Sequence, residues 1–160
     1  MLRQSFFLFI TQILLFSAIQ LSAQKKELIY DNHAYEASIQ SIQLLPQANG
    51  ISDRFAPSVK NIQDRTNLIL EFDDLNQDAD YYFVRFIHCN ADWTPSDFRP
   101  GMFVQGFNEF EIVDFEFSSE SKVNYVHYSF TLPTFKKSGN YLAVVYRDRK
   151  KEDLILTRRF

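Results

Sequence analysis

The chain has 160 residues, 46% of them hydrophobic and 16% aromatic, with a formal net charge of −3 and a single cysteine. A mildly acidic chain without a basic run lacks the electrostatic footprint of a nucleic-acid binder. One cysteine excludes an intramolecular disulfide, so stability must come from packing, for which 17 phenylalanines and 8 tyrosines supply the area.

The N-terminus reads MLRQSFFLFITQILLFSAIQLSAQKK. Arg3 gives a short positive start, Phe6 to Ile19 is mostly apolar, and Leu21-Ser22-Ala23 offers small residues for cleavage. This predicts a signal peptide over 1–23 and an exported single domain over 24–160. The apolar core is too short for a spanning helix and no stop-transfer flank follows it. No cysteine stands at the cut, which argues against a lipid-anchored form. Removing the segment takes away only the charge of Arg3, so −3 becomes −4 in the mature chain.

Strand signals recur down the rest of the chain, separated by turn residues. ASIQSIQLL (37–45) fits a helix through Ile39, Ile42 and Leu45 and a strand through Ile42 and Leu44; it is taken as a strand that Pro46 stops. The polar segment 46–65, with Gly50 and Pro57, reads as a long surface loop. TNLILEFD (66–73) alternates Leu68, Leu70 and Phe72, and DYYFVRFIH (80–88) places Tyr82, Val84 and Phe86 on one face. FEIVDFEF (110–117) is aromatic and β-branched throughout and reads as one strand. In VNYVHYSFTL (123–132), Val126, Tyr128, Phe130 and Leu132 oppose Tyr125, His127, Ser129 and Thr131. YLAVVYR (141–147) follows the turn Lys137-Ser138-Gly139-Asn140, and DLILTRRF (153–160) ends the chain. Seven short strands with period-two alternation predict an all-β fold: an immunoglobulin-like antiparallel β-sandwich with one wet face per sheet.

The densest chemistry lies in HCNADWTPSD (88–97), which holds the only cysteine and the only tryptophan. Neighbouring strand residues face opposite ways, so His88 and Cys89 cannot easily share a metal ion. No metal-binding or nucleophile motif is present; a Cys89–His127 pair would need the two side chains to meet across the fold. The acids of DDLNQDAD (73–80) read as turn caps, lacking the glycine and distal glutamate of a calcium loop. Asp92 is placed to accept from backbone N–H groups downstream, and Pro95 and Pro100 fix turns. Trp93, Phe98, Met102, Phe103 and Phe107, set among turn residues, make an ordered loop. They either close one end of the sandwich or reach a partner.

Taken in order, HCNADWTPSDF, VQGFNEF, IVDFEFSS, VNYVHYSFTLP and SGNYLAVVY resemble the N-terminal domain of the type IX secretion system plug proteins of the Bacteroidota, from about Tyr35 to Phe160. The matching positions are His88, Cys89, Asp92, Trp93 and Pro95, then Gly106, Phe107 and Asn108, with Phe98 in the loop between them. Asp114, Tyr125, His127, Tyr128, Pro133, Ser138, Gly139, Asn140 and Tyr141 complete the pattern as structural positions. The resemblance implies a non-enzymatic periplasmic protein without cofactor, metal or small-molecule substrate. It would seal the periplasmic mouth of the outer-membrane translocon barrel while no cargo is passing. It also implies further domains after this one, so the chain is expected to be a first domain or a truncated form. The residues alone leave a second possibility: a secreted β-sandwich that binds glycan or protein ligands, with sugars stacked on Trp93 or on open faces of Tyr82 and Tyr125.

Overall fold

The computed structural model describes residues 26–48, 51–52, 57–63, 67–76, 78–119 and 121–160. The expected signal peptide lies outside the described residues. Among the described residues, ten strands and one short helix follow in chain order: β1 (His33–Ala34), β2 (Ile39–Ala48), β3 (Ile51–Ser52), β4 (Asn67–Asp74), β5 (Tyr82–Cys89), α1 (Pro100–Phe103), β6 (Phe110–Glu111), β7 (Asp114–Phe117), β8 (Val126–Thr131), β9 (Asn140–Arg147) and β10 (Leu154–Arg159). They form two antiparallel five-stranded sheets, ordered β1-β10-β9-β5-β6 and β3-β2-β4-β8-β7. The β-sandwich expected from the alternation is the fold observed, with two further two-residue strands, β1 and β3, that carry too little pattern to be read.

Alternation sets the core. Tyr82, Val84 and Phe86 of β5 and Ala143 and Val145 of β9 meet Leu68, Leu70 and Phe72 of β4 and Val126 and Tyr128 of β8 between the sheets. Phe72 and Tyr128 stack with ring centroids 5.1 Å apart, and Tyr82 meets Tyr128 edge-on at 4.9 Å. The phenols buried there have partners. Tyr82 donates to Asp74 at 2.7 Å, while Tyr128 accepts from the Asp80 N–H at 2.8 Å and donates to its carbonyl at 3.2 Å. The acids of 73–80 thus serve the fold, and the buried Asp74 also accepts from the Asn76 backbone N–H at 3.1 Å.

Three expectations are corrected. First, Pro46 does not stop its strand. β2 runs on to Ala48, and a bulge between Gln40 and Gln43, with Ser41 at φ 52°, inserts one extra residue against β4. That insertion puts Ile39 and Leu44 in one core despite their odd spacing, which is why the segment fitted no single period. Ser58 donates its hydroxyl to the Leu44 carbonyl at 2.6 Å, so the backbone at position 44 faces away from β4, and by alternation so does the missing N–H of Pro46. The segment 46–65 therefore begins as strand and includes β3.

Second, FEIVDFEF is not one strand. β6 pairs with β5 in the first sheet and β7 pairs with β8 in the second; the chain changes sheet at Ile112-Val113. Third, among the described residues the outer face of the first sheet is covered, so the second sheet alone keeps a wet face. On the outside of the first sheet Cys89, Leu142, Val144 and Leu154 form a second cluster covered by Leu28, Tyr30, Tyr35 and Trp93. The segment before β2 is bound there: Thr157 donates to the Asp31 carbonyl at 2.6 Å and the Arg159 Nε–H to the Tyr30 carbonyl at 2.9 Å.

An ion network ties that segment to the sandwich. Arg147 donates to Asp80 at 2.8 Å, Glu36 at 2.8 Å and Asp153 at 3.1 Å, and Lys26 bridges Glu36 and Asp153 at 2.8 Å each. Burial raises the Glu36 and Asp153 carboxyls, but the hydrogen bonds and charges of Lys26 and Arg147 outweigh it and hold both below the ordinary range. Their folded pKa values lie below the unfolded ones, so their stabilisation is present above the unfolded values and lost as pH falls through the folded ones. Stability should therefore decline below about pH 4. Arg147→Met should cost about 1–3 kcal/mol at neutral pH, between an exposed and a buried pair, and flatten that acid decline. Urea midpoints measured from pH 3 to 7 check both.

Candidate functional site

The loop between β5 and β6 and the turn before β9 meet at one end of the sandwich, and His88 stands where they meet. It is buried on the core side of β5. Its Nε2 lies 3.3 Å from the Ser138 carbonyl and its Nδ1 lies 2.9 Å from the Ser96 hydroxyl. A carbonyl only accepts, so Nε2 carries the proton in that bond and Nδ1 accepts from Ser96. The Ser96 oxygen in turn accepts the Phe98 N–H at 3.3 Å. Phe98 and Tyr141 each pack against the imidazole with centroids 5.0 Å away.

This contact explains the glycine of SGNY. Gly139 sits at φ +150°, and a Cβ built on it would lie 2.4 Å from His88 Nε2. Only glycine lets the turn close on the ring. Tyr141 finishes the joint by donating to the Lys137 carbonyl at 2.6 Å, and its ring stacks on Phe160 at 5.4 Å. Burial pushes its phenol up to about 12.

Residues 90–95 form a tight closed turn. Asn90 and Thr94 bond through the backbone at 2.8 Å, the Trp93 N–H reaches the Asn90 carbonyl at 3.0 Å, and Cys89 bridges Pro95. Asp92 accepts from the Thr94 hydroxyl at 2.7 Å and the Thr94 N–H at 3.1 Å; these bonds lower its pKa. Trp93 takes φ 66°, a left-handed conformation that a bulky residue holds only when its surroundings fix it. Those surroundings are the second cluster below and the Arg159 guanidinium 4.4 Å over its ring. Asn140 donates to the Asn90 carbonyl at 3.1 Å, tying the turn to β9.

The next motif, GFN, caps a sheet edge. β6 pairs only with Phe83 and Val84, leaving Phe86 without a strand neighbour on that side. The Asn108 side chain takes the strand's place: its Oδ1 accepts the Phe86 N–H at 3.0 Å and its Nδ2 donates to the Phe86 carbonyl at 2.8 Å. Gly106, at φ +86°, turns the chain to bring Asn108 there. Val104 bridges Phe135, and the Lys136 N–H reaches the Phe103 carbonyl at 2.8 Å, so α1 lies against the chain following Pro133.

His88 and Cys89 face opposite ways, as the alternation requires. Cys89 is buried, and that burial pushes its thiol up. His127 lies on the outside of the other sheet, 2.7 Å from Asp73, so it cannot reach Cys89. Among the described residues no three His, Cys, Asp or Glu side chains gather as a metal site. Trp93 and Tyr82 offer no open row for sugars: Arg159 covers one ring and the core encloses the other. Asp114 lies on β7, Tyr125 just before β8 and Pro133 just after it; Tyr128 is core, so these form no common site with His88. The loop presents three large apolar side chains outward, Phe98 39%, Met102 47% and Phe107 78% exposed, beside the exposed polar residues Asp97, Arg99 and Gln105, while Phe103 between them is buried. The strand-mimicking role of Asn108 had no signal in the sequence beyond the neighbouring glycine.

The family described as "Type 9 secretion system plug protein 1st domain" matches residues 39–160. A crystal structure of a hypothetical protein from Parabacteroides merdae ATCC 43184 is similar, with 28% identity and a TM-score of 0.72 over 84% of this chain and 34% of that one. The chain thus spans about a third of that protein's length. No curated protein matches.

The joint at His88 makes two outcomes testable by chemical denaturation. Gly139→Ala should destabilise by about 2–3 kcal/mol, and combined with His88→Ala it should cost clearly less than the two changes summed. Asn108→Leu should cost about 2 kcal/mol, with faster hydrogen exchange at the Phe86 amide.

Proposed function

This chain belongs to the type IX secretion plug family as its first domain, and on that premise we propose that it closes the periplasmic mouth of the outer-membrane translocon barrel between cargo passages. It is a component of that secretion system, and its partner is the barrel itself. It acts as a non-enzymatic stopper in the periplasm, through surface fit rather than bond chemistry.

The observation that carries this reading is the loop-built end of the sandwich. A stopper must hold its shape against a large pore yet release. Internal bonds of His88, Asp92, Asn108 and Asn140 fix the loop backbone before any partner arrives, so little ordering remains to oppose binding. Phe98, Met102 and Phe107 stand outside that frame and are the residue types favoured at interface centres. A small patch of this kind suits reversible association.

The reading predicts a conductance. Purified barrel in a planar bilayer should conduct ions, and adding this protein to the periplasmic side should lower that current. Phe107→Asp combined with Met102→Asp should weaken the block about tenfold or more without unfolding the domain, because both side chains are exposed. Full block by the double variant would remove this end as the contact; no block by the natural chain would remove the sealing role from this domain.

A further inference from the structure

The strand β7 is the last of its sheet, and its free edge differs from an ordinary protected one. The register pairs Asp114 with Ser129, Phe115 with Tyr128, Glu116 with His127 and Phe117 with Val126. One step on, the Ser118 N–H donates to the Tyr125 carbonyl at 2.9 Å. Hydrogen-bonded and open pairs alternate along an antiparallel ladder. Ser118, Glu116 and Asp114 therefore direct their backbone groups toward β8, and Phe115 and Phe117 direct theirs away from it. Among the described residues no strand lies on that side.

The two faces of this edge carry different chemistry. On the core side, Phe115 and Phe117 meet edge-on at 5.8 Å, and Phe115 packs on Tyr128 at 5.7 Å; yet they remain 43% and 60% exposed. The chain has just crossed between the sheets, from β6 to β7, at Val113, which is 64% exposed. On the outer side the paired rows are Glu71–Ser129–Asp114 and Asp73–His127–Glu116. Four carboxylates thus stand in two rows beside the edge, and one of them, Asp73, is bonded to His127.

We propose that β7 is a docking edge for an extended segment of another protein in which apolar and basic residues alternate. The added strand would hydrogen-bond to the outward backbone groups of Phe115 and Phe117, in the manner of β-strand addition. Its apolar side chains would lie over the two phenylalanines. Its lysines or arginines would stand opposite Asp114 and Glu116, which fall in the narrow, non-hydrogen-bonded pairs where cross-strand side chains come closest. The same charges rule out a second copy of this chain as occupant. Antiparallel β7–β7 pairing would set carboxylate against carboxylate, a device that blocks self-association at sheet edges. This edge lies on a different part of the surface from the Phe98–Phe107 loop, and its use does not depend on the sealing role.

The test uses a capped peptide of alternating lysine and valine as probe, with the glutamate–valine peptide as its counterpart. Titrated into the protein at low salt, the lysine peptide should bind, and added salt should weaken it. Amide hydrogen exchange should slow at Phe115 and Phe117 and stay unchanged at Glu116, which already bonds to β8. Phe117→Pro removes one outward donor and leaves the β7–β8 bonds intact, so the variant should stay folded and bind about tenfold more weakly. Asp114→Lys with Glu116→Lys should reverse the preference to the glutamate peptide. Binding of the lysine peptide without added protection at Phe115 and Phe117, or undiminished binding to Phe117→Pro, would overturn the proposal, as would equal affinity for the two peptides or the absence of any binding.

Discussion

One imidazole joins three stretches of chain at one end of this domain. His88 is fixed from below by its place in β5, from one side by Ser96 and from the other by the Ser138 carbonyl. Phe98, Phe103 and Tyr141 wall it in. Because Gly139 lies directly on the ring, the turn before β9 and the loop after β5 cannot shift independently. The fixed backbone of the 90–107 loop, and so the positions of its exposed aromatics, rests on this contact together with the bonds of Asp92, Asn108 and Asn140. Packing of this kind replaces the disulfide that a lone cysteine cannot supply.

The two ends of the architecture use different chemistry. At the His88 end, hydrogen bonds and packed rings hold a loop. At the other end Arg147 and Lys26 gather Glu36, Asp80 and Asp153, and this binds the first described residues across the outside of the first sheet. That sheet is thereby apolar on both faces, while the second keeps a polar outer face of Glu71, Asp73, Glu116 and His127. A domain built this way has one covered side, one wet acidic side and one shaped end.

Much of the sandwich was legible because alternation reports burial directly. Leu68, Leu70 and Phe72 point inward as their spacing requires, and His88 and Cys89 diverge as neighbours on a strand must. The readings failed where alternation carries no information. FEIVDFEF keeps its β character across the crossing at Ile112-Val113, with no glycine or proline to mark the change of sheet. The bulge at Gln40–Gln43 broke the period of a strand and left it resembling a helix as well, and Pro46 misled because a proline on the open side of a strand costs no ladder bond. In the site, the Asp92 turn follows from local chemistry and was readable. The fit of Gly139 on His88, the Asn108 cap on Phe86 and the Arg147 network join residues far apart in sequence, and only the folded chain brings them together.

The proposed sealing role requires that the Phe98–Phe107 end of this domain meets the translocon barrel. A photo-activatable phenylalanine at position 107, introduced into the protein in its own host's envelope, tests it most directly, with the same residue at Gln43 on the opposite wet face as control. A crosslink from position 107 to the large outer-membrane barrel, and none from position 43, is the expected result. A crosslink from position 43 alone, or the same products from both positions, would contradict it.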